Sequence, residues 1–452
     1  ATLSVTALPF ANLSYDWFSS TTPGGPYTTP AGSGTSISTG VLTAGSYYYV
    51  CTTTCSNGGG NSTSAQYALT VNAIAPGATY TINNTLPTGS GNFANFTDCI
   101  NALNTTFLCG VASPIIINVS AGQTFNENPP ALIATGNSAV NSITFQKSGI
   151  GANPVINPLG AAGTTDFVLC VNGGDFITFD AIDINALAVT TVEIGYLVRN
   201  STATDGAKNV TIKNCAVTLN RNNPNANFGV VNNNTAANGG LIAPSNATGA
   251  NDNFTADNIT VTNCLNMGIR VDLNATFPAT NNIVQNCTIG AAYTGMPLPD
   301  IGSSTNTGIA PSGIAFVNGV NVKVRNNIVR NIGAISQTAR GLNISCSGTT
   351  NDINNNKVYG LRNFTAGTIQ ITRGIEVVLP AAGTNTANIF NNTVSDLTNT
   401  FTGTATVSRG INGIFCSSGV ATATYNIDHI QHRHRAVALI GHEQAPTHWI
   451  EG

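Results

Sequence analysis

Charged side chains are scarce in this sequence. Only 8% of its 452 residues are Asp, Glu, Lys or Arg, against about 25% in a typical soluble protein. No Lys or Arg occurs before Lys147, and the formal net charge is only -3. Proteins that bind nucleic acid usually present a basic face, so this composition predicts no nucleic-acid partner.

Two further absences concern membranes and metals. No uninterrupted apolar run is long enough to cross a bilayer, which predicts no transmembrane segment. No His occurs in the first 428 residues, and all five follow Asp428: His429, His432, His434, His442 and His448. Imidazoles can bind Zn²⁺ or Cu²⁺, but spacing alone, without a folded context, predicts neither a metal site nor a cofactor here. Residues 431–452 are therefore interpreted as an atypical His-containing tail.

One short phrase recurs along the second half of the chain: an aliphatic residue, any residue, Asn, then Cys or Asn, any residue and usually an aliphatic residue. It occupies residues 212–217, 261–266, 284–289, 324–329, 353–358 and 389–394. Repeats at 20–50 residues indicate a solenoid whose units bury their apolar faces against each other. Asn tolerates left-handed backbone, so it is expected to make a corner, with its amides stacked in one column.

The predicted columns follow from aligning these copies. The structural Asn column contains Asn214, Asn263, Asn286, Asn326, Asn355 and Asn391. The next column contains Cys215, Cys264, Cys287, Asn327, Asn356 and Asn392. Its cysteines are expected to be small buried hydrophobic residues and not metal ligands.

A second phrase consists of Gly followed by alternating apolar residues, at 268–271, 313–316, 341–344, 374–377 and 410–413. Alternation with period two indicates a strand with one buried face. Several strands per turn, loops of variable length and an Asn corner resemble the right-handed parallel β-helix of the pectin-lyase-like group. The resemblance implies an all-β fold, with the β-helix over residues 111–430.

Residues 1–74 read as a small antiparallel sandwich. Trp17 lies on an early strand, and Tyr49 stands two residues before Cys51 on a late one, which resembles an immunoglobulin-like domain. The resemblance implies a strand before Ala1, so the domain is expected to be partial and the chain to belong to a longer parent protein.

Residues 75–110 are interpreted as a linker and a short capping helix. Phe93, Phe96, Ile100 and Leu103 share one face of a helix predicted over 92–104, with Asn92 as its N-cap. The helix would cover the open end of the solenoid. Cys99 and Cys109 could form a disulfide or remain two buried thiols.

The sandwich, the stretch at 124–127 and the phrase at 175–180 together resemble secreted surface proteins of the Bacteroidota, many of which use type IX secretion. The resemblance implies an extracellular location. The sorting domain that usually accompanies this route is not visible in the sequence.

Arg340, Arg373 and Arg409 each stand immediately before the Gly of a late coil. Stacked about 4.8 Å apart on the outer surface, they could bind an anionic polymer through bidentate contacts. Glu376 would lie beside this column, with Asn343 and Asn412 above and below it. The residues could form a polysaccharide-binding stripe or a solvated corner without a ligand.

Catalysis is signalled less clearly. Asp175, Asp180 and Asp183 alternate along one segment, but the following coils do not repeat these acids, and glycoside hydrolysis needs two matched carboxyl groups. The sequence therefore favours a secreted, non-catalytic adhesin or carbohydrate-binding stalk, whose partner is a polysaccharide or a host-surface glycan. Its alternative is a lyase or hydrolase that acts on an acidic polysaccharide along the outer face, and a third reading is a spacer.

Overall fold

The structure of the protein, a computed structural model, divides into two compact units, residues 1–75 and 76–452. It describes residues 2–39, 45–71, 79–89, 91–106, 111, 113–134, 137–161, 163, 166–233, 242–292, 298–364, 371–380, 383–399, 410–418, 423–428, 431–433 and 438–439.

The second unit is a right-handed parallel β-helix, as predicted. Its strands belong to three parallel sheets, and the chain visits sheet 1, sheet 2 and sheet 3 in turn before returning to sheet 1. Such crossovers between parallel strands are almost always right-handed. Each coil therefore finds its hydrogen-bond partners in the coils before and after it.

Within each sheet the strands stack one above another along the axis of the β-helix. In stacking order, sheet 1 contains Asn92–Phe93, Thr79–Ile82, Ile115–Ser120, Ile143–Ser148, Ile177–Asp180, Thr211–Lys213, Thr255–Asp257, Ile283–Gln285, Lys323–Arg325, Asn351–Asn354, Thr386–Phe390 and Thr424–Asp428. Sheet 2 contains Thr124–Asn126, Val155–Asn157, Asp183–Asn185, Ala216–Thr218, Thr260–Thr262, Thr288–Ile289, Ile328–Ala334, Lys357–Asn363, Thr393–Asn399 and Gln431–Arg433, with Ile301–Gly302 also paired to Ile328–Ala334. Sheet 3 contains Phe167–Asn172, Ile194–Arg199, Phe228–Asn233, Met267–Asp272, Ser312–Val320, Ala339–Ser347, Ile371–Leu379, Gly410–Ser418 and Ala438–Leu439.

These strands extend beyond the predicted limits of 111 and 430. Thr79–Ile82 already pairs in parallel with Ile115–Ser120, so the β-helix begins within the segment that was interpreted as linker. Gln431–Arg433 and Ala438–Leu439 continue sheets 2 and 3, so the backbone of the tail begins as a further coil.

Asparagines in left-handed backbone form the corner between sheets 1 and 2. Asn214, Asn258, Asn286, Asn326, Asn355 and Asn391 have φ angles from 53° to 58°. Each side chain is short enough to bond locally, which is why Asn accepts this region better than other non-Gly residues. Asn258 Nδ2 donates to Asn214 Oδ1 at 2.9 Å, and Asn326 Nδ2 donates to Asn286 Oδ1 at 3.2 Å.

The predicted member Asn263 is wrong. Val261 pairs with Val217 on sheet 2, so the phrase at 261–266 follows the corner instead of containing it. Asn263 lies after the strand Thr260–Thr262, where its amide donates to the carbonyl of Leu219 at 2.7 Å. The corner of that coil is Asn258, and Ile259 takes the place predicted for Cys264.

Inside the corner, three asparagines form a buried ladder. Asn327 Nδ2 donates to Asn356 Oδ1 at 2.9 Å, and Asn356 Nδ2 donates to Asn392 Oδ1 at 3.0 Å. The same amides also donate to the carbonyls of Val284, Val324 and Ile353. Buried polar groups are tolerated when every one is bonded, and this internal ladder meets that condition. One coil earlier, the backbone N–H of Cys287 donates to Asn327 Oδ1 at 2.9 Å.

A second column of left-handed asparagines, absent from the sequence predictions, turns sheet 3 into sheet 1. Asn209, Asn253, Asn281 and Asn321 have φ angles from 54° to 58°. Asn253 Nδ2 donates to Asn209 Oδ1 at 3.1 Å. The coil therefore has two Asn corners, and the sequence phrase revealed only one.

Sheet 3 carries a column of glycines that touches sheet 2. A Cβ on Gly374 would lie 2.4 Å from Val394 Cγ1 and 2.5 Å from the carbonyl oxygen of Gly413. The same crowding occurs at Gly195, Gly229, Gly268, Gly313 and Gly341. Only Gly allows the two sheets to approach so closely, because any side chain would overlap a core residue.

The capping helix runs over Phe96–Thr106, shifted from the predicted 92–104. Its N-cap is Asn95, whose Oδ1 accepts from the N–H of Asp98 at 2.7 Å. Asn92 is not the cap, because its amide donates to the carbonyls of Asn83, Leu86 and Pro87. Phe96 stacks on Phe145 with ring centroids 6.3 Å apart, which covers the core of the first coils.

The first unit is antiparallel throughout its described strands. Thr2–Ser4 pairs with Ser36–Ser38, while Thr29–Ser33, Leu13–Ser20, Gly45–Cys55, Asn61–Thr63 and Tyr67–Val71 form a second sheet. Trp17 is buried against Leu3 and Ile37, and its indole N–H donates to the carbonyl of Gly34 at 2.9 Å. In the described part of the second unit, a 3₁₀ turn lies at Ala247–Gly249. Among the helices of the described residues, none is long and apolar enough to span a membrane.

Candidate functional site on sheet 3

The outer face of sheet 3 is organised by its glycine column. Arg373 and Glu376 bond to each other. Ile375, which lies between them, and Val377, which follows Glu376, are buried in the core. The alternation of the strand therefore breaks at the glycine, and the residues one before and two after it share the outer face. The residues before the glycine are Ile194, Phe228, Met267, Ser312, Arg340, Arg373 and Asn412. Those two after it are Leu197, Val231, Arg270, Ala315, Asn343, Glu376 and Phe415.

This face changes character along the stack. In the early coils it is apolar, since Ile194, Leu197, Phe228 and Val231 pack with Cys170 in a cluster of their own. In the later coils it is polar and charged. The residues before and after the glycine column nevertheless stay opposite one another from coil to coil.

The structure brings Arg340 and Arg373 together in adjacent coils, directly opposite each other. The predicted third member does not belong to this column. Gly413, and not Gly410, lies opposite Gly374, so Asn412 is the neighbour of Arg373. Arg409 lies outside the described residues. Asn343 is beside Glu376 as predicted from the sequence, but the neighbour on the other side is Phe415 and not Asn412.

Glu376 is shared by two guanidinium groups. Arg340 Nε donates to Glu376 Oε2, and Arg373 Nη1 donates to Glu376 Oε1. The side chains of Arg373 and Glu376 are 9% and 8% exposed, and that of Arg340 is 22% exposed. The Arg373 guanidinium also lies over the ring of Phe415, 3.7 Å from its centroid, which is a close cation–π contact.

The environment of Arg373 is unfavourable to its charge. Burial lowers the pKa of Arg373, Glu376 opposes that effect, and Arg340 adds to the lowering. Two cations and one anion leave one positive charge in excess at a largely buried position. Such a charge is costly unless a counter-ion or hydrogen-bond partners compensate it.

Three buried polar atoms in this column lack a partner within the described part of the chain. They are Ser312 Oγ, Arg373 Nε and Asn412 Oδ1. Ser312 is fully buried, and Asn412 is 3% exposed. Most buried polar atoms in proteins are bonded, so their occurrence in one register column marks the site.

A pair of carboxyl groups stands at the start of the same sheet, in its early coils. The N–H of Asp166 donates to Glu193 Oε2, and the N–H of Glu193 donates to Asp166 Oδ1, both at 3.4 Å. Asn223 and Asn225 donate to Glu193 Oε1 at 3.1 and 3.2 Å. Burial, and then the hydrogen bond to Asp166, raise the pKa of Glu193 to about 7.

A cleft lies beside Asn223, which also bonds Glu193 of the carboxyl pair. The cleft has a volume of about 420 Å³ and is lined by Arg221, Asn223, Leu298, Ser303 and Asn306 among others. Asn223 therefore lies between the cleft and Glu193. Sequence reasoning missed Asp166 and Glu193; the signal was Ile194-Gly195, which extends the glycine column backwards and places Glu193 at a strand start.

The three Asp residues considered for the enzymatic alternative all accept hydrogen bonds from neighbouring coils of the β-helix. Asp175 Oδ1 accepts from the N–H of Lys208 at 2.7 Å, and Asp183 Oδ1 accepts from the N–H of Ala216 at 2.8 Å. Asp180 accepts from Asn214 Nδ2 at 2.7 Å and pairs with Lys213. Asp180 and Asp183 lie on different strands, separated by the corner at Ala181. No three His, Cys, Asp or Glu side chains within the described ranges are arranged to hold a metal.

The cysteines offer no reactive group in the described regions of the β-helix. Cys215, Cys264 and Cys287 are buried, and burial raises the pKa of each thiol, which makes a thiolate unfavourable. Cys99 is buried in the capping helix. Cys109 lies outside the described residues, so the Cys99–Cys109 disulfide stays a prediction, and so do the roles of the histidines, whose side chains are also outside them.

Comparison with known proteins gives structural likenesses alone. No family model and no curated protein matches the chain. It is similar to the family 28 exopolygalacturonase of Yersinia enterocolitica, with 11% identity, 96% of this chain and 97% of that chain covered and a TM-score of 0.28. It is similar to an iota-carrageenase complexed to iota-carrageenan fragments, with 10% identity, 84% and 94% covered and a TM-score of 0.38. A rhamnogalacturonan lyase shows 12% identity, 77% and 87% covered and a TM-score of 0.34.

This comparison corrects the expected function. The sequence predicts a non-catalytic adhesin or stalk first, with a polysaccharide enzyme as the alternative. That first reading is wrong, because the similar structures are enzymes named for their action on polysaccharides. The likeness itself is one of fold, and the chemistry has to be argued from the side chains of this chain.

Proposed function

We propose that this chain is an enzyme that cleaves an acidic polysaccharide, as a glycoside hydrolase or a polysaccharide lyase, with the polymer lying along the outer face of sheet 3. The observation that carries the proposal is the contact pair Asp166 and Glu193, beside the cleft at Asn223. A carboxyl group that stays protonated near neutral pH can donate a proton to the oxygen of a departing sugar.

The charge distribution supports an anionic polymer. Residues 321–376 contain seven of the sixteen Lys and Arg, but only two Asp and Glu. Arg340 and Arg373 bring part of this charge to sheet 3. From the strand of Glu193 to the strand of Arg373 is five steps of about 4.8 Å, or roughly 24 Å. A polymer of several sugar units could therefore contact both regions.

Whether the chain would hydrolyse or eliminate depends on which second catalytic group acts together with Glu193. The raised pKa of Glu193 makes this one carboxyl group the proton donor of the site. Hydrolysis requires another carboxylate at least about 5 Å away, whereas elimination requires a base next to an acidic C–H. The products differ, because a lyase leaves an unsaturated sugar that absorbs ultraviolet light and a hydrolase does not.

The test is incubation of the purified chain with acidic and neutral polysaccharides, with and without calcium. We expect new chain ends from an acidic polymer, and a loss of about 100-fold or more in rate for Glu193→Gln. Asp180→Asn is the matched control, since that carboxylate lies on sheet 1, and it should retain activity. Absence of cleavage on every polymer, or full activity of Glu193→Gln, would overturn the proposal.

The proposal includes a secreted location, because a polysaccharide of several sugar units is met outside the cell. It also includes an origin among surface proteins of the Bacteroidota type. We also propose that the first unit is an immunoglobulin-like module. Its antiparallel strands around the buried Trp17 support this.

A further inference from the structure

We infer that the polar part of sheet 3 is a binding site for a single carboxylate group, formed by Ser312, Arg340, Arg373 and Asn412, and that it takes one uronate unit. The identity of the ligand as part of a polymer rests on the proposed function. The site itself is argued from charge, burial and unused hydrogen-bonding atoms, and it is separate from the pair Asp166 and Glu193.

The charges of this column do not balance. Arg340 and Arg373 share the one carboxylate of Glu376, so the group carries one positive charge in excess. Arg373 is 7% exposed and Glu376 is 6% exposed, which leaves little water to screen that charge. One bound monoanion would make the group neutral.

The column also has unused hydrogen-bonding atoms. Arg373 uses Nη1 for Glu376 and leaves its Nε–H without a described partner. Ser312 lies opposite Arg340, where its Oγ is a further donor, and Asn412 lies opposite Arg373, where its Oδ1 can accept from a sugar hydroxyl. Ser312 and Asn412 lie in the column of the two arginines. A carboxylate on a sugar ring therefore offers the acceptors and donors that this column lacks.

The geometry of the two guanidinium groups favours a carboxylate as the anion. Glu376 already bridges the two guanidinium groups with its two oxygens. These groups are thus positioned for a flat carboxylate, which matches the planar fork of Arg. Arg340, with 22% of its side chain exposed, provides the access from solvent. A uronate unit would enter beside Arg340 and compete with Glu376 for the same donors.

The experiment is a calorimetric titration of the full chain at low salt with three sugars that differ at C6: glucuronate, glucose and glucose 6-sulfate. We expect one site for glucuronate, at least tenfold weaker binding of glucose, and weaker binding of the sulfate. Tighter binding of glucose 6-sulfate than of glucuronate, or equal binding of glucose, would overturn the assignment to a carboxylate.

Variants separate a ligand site from a closed ion group. Arg373→Ala should weaken glucuronate binding at least tenfold. Arg325→Ala is the matched control, because Arg325 bonds Gln285 at 2.9 Å on sheet 1 in the same basic region, and it should change nothing. Asn412→Ala keeps all charges, so it reports on the site even where Arg373→Ala fails to fold, and should weaken binding several-fold.

The direction in which Glu376→Gln changes the affinity for glucuronate is the decisive result. The substitution removes the internal competitor and adds to the excess positive charge, so glucuronate should bind more tightly than to the unaltered chain. A purely structural ion group predicts no binding by either protein, and that result would overturn the inference. The titration measures binding and not cleavage, so the two proposals can fail separately. Cleavage together with binding that does not depend on Arg373 would refute this site alone. Binding without cleavage would refute the proposed enzyme alone.

Discussion

Asn392 and Asn412 are both buried asparagines in late coils of the β-helix, and they are bonded differently. Asn392 Oδ1 accepts from the backbone N–H and the Nδ2 of Asn356, both at 3.0 Å, and its own Nδ2 donates to the carbonyl of Ile353 at 2.8 Å. Asn412 Oδ1 has no partner among the described residues.

The difference lies in the columns to which they belong. The internal ladder repeats one residue type, so the donor of each coil meets the acceptor of the next. The outer column of sheet 3 reads Ser312, Arg340, Arg373, Asn412, and unlike neighbours do not satisfy each other in that way. The regular column therefore satisfies its own hydrogen bonds, whereas the irregular buried column leaves hydrogen-bonding capacity unused.

The largest expected effect is on this pair of asparagines. Asn392→Ala leaves the carbonyl of Ile353 and the N–H and amide of Asn356 without partners. At roughly 1–3 kcal/mol for each buried group, the free energy of unfolding should fall by about 3 kcal/mol or more. Asn412→Ala should cost less than about 1 kcal/mol, because its Oδ1 has no bond to lose.

Urea denaturation of the two variants measures this difference through the midpoint and slope of the transition. The unaltered chain and Asn412→Ala should have nearly the same midpoint. Equal losses in both variants would show that the orphaned oxygen of Asn412 is bonded in solution, and the distinction between the two columns would fail.

The fold was accessible from the sequence because its strongest signals are local. The residues Asn214, Asn286, Asn326, Asn355 and Asn391 repeat a backbone requirement, left-handed φ, that few residue types meet. Register was less accessible. The phrase at 261–266 looks like a corner, yet only pairing with Val217 shows that Asn258 makes the turn. Local similarity does not determine alignment when loop lengths vary.

The site shows the same limit. Arg340 and Arg373 were found because both precede a glycine, but the same rule selected Gly410 over Gly413 and thereby Arg409 over Asn412. Asp166 and Glu193 could not be paired from sequence, since their contact depends on the length of the intervening loop. Burial of the Ser312, Arg373 and Asn412 atoms is a property of packing, which periodicity does not report.

An intermediate effect is expected for the glycine column of sheet 3, at which sheet 3 touches sheet 2. In Gly374→Ala the new Cβ would meet Val394 Cγ1 at 2.4 Å and the carbonyl oxygen of Gly413 at 2.5 Å. Overpacking of this kind costs about 1–3 kcal/mol, and the sheets would separate beneath Arg373 and Glu376. Gly163→Ala is the control, because a Cβ there has nothing within 4 Å.

Denaturation and the glucuronate titration together read out this change. Gly374→Ala should lower both the unfolding midpoint and the affinity for glucuronate, whereas Gly163→Ala should alter neither by more than the error. Unchanged affinity in Gly374→Ala would mean that the glycine column does not set the positions of the two ionic side chains.

The smallest expected effect concerns Glu193, which lies at the opposite end of sheet 3 and is bonded to Asp166. The pKa of Glu193 is raised from 4.5 to about 7. Below pH 4.5 the carboxyl is protonated in both the folded and the unfolded chain, and its contribution to stability is fully present. Between pH 4.5 and 7 the unfolded chain ionises first, so stability falls as pH rises. Above pH 7 the loss is constant.

Glu193→Gln cannot ionise, and its amide can donate to Asp166 while its oxygen accepts from Asn223 and Asn225. The variant should therefore melt at about the same temperature as the unaltered chain at pH 4 and about 1–2 °C higher at pH 8, as measured by calorimetry across that range. Asp180→Asn, which loses the ion pair with Lys213, should not gain stability at pH 8. If Glu193→Gln instead melts lower at pH 8 than at pH 4 relative to the unaltered chain, folding does not raise the pKa of Glu193, and the proton donor on which the catalytic proposal depends is absent.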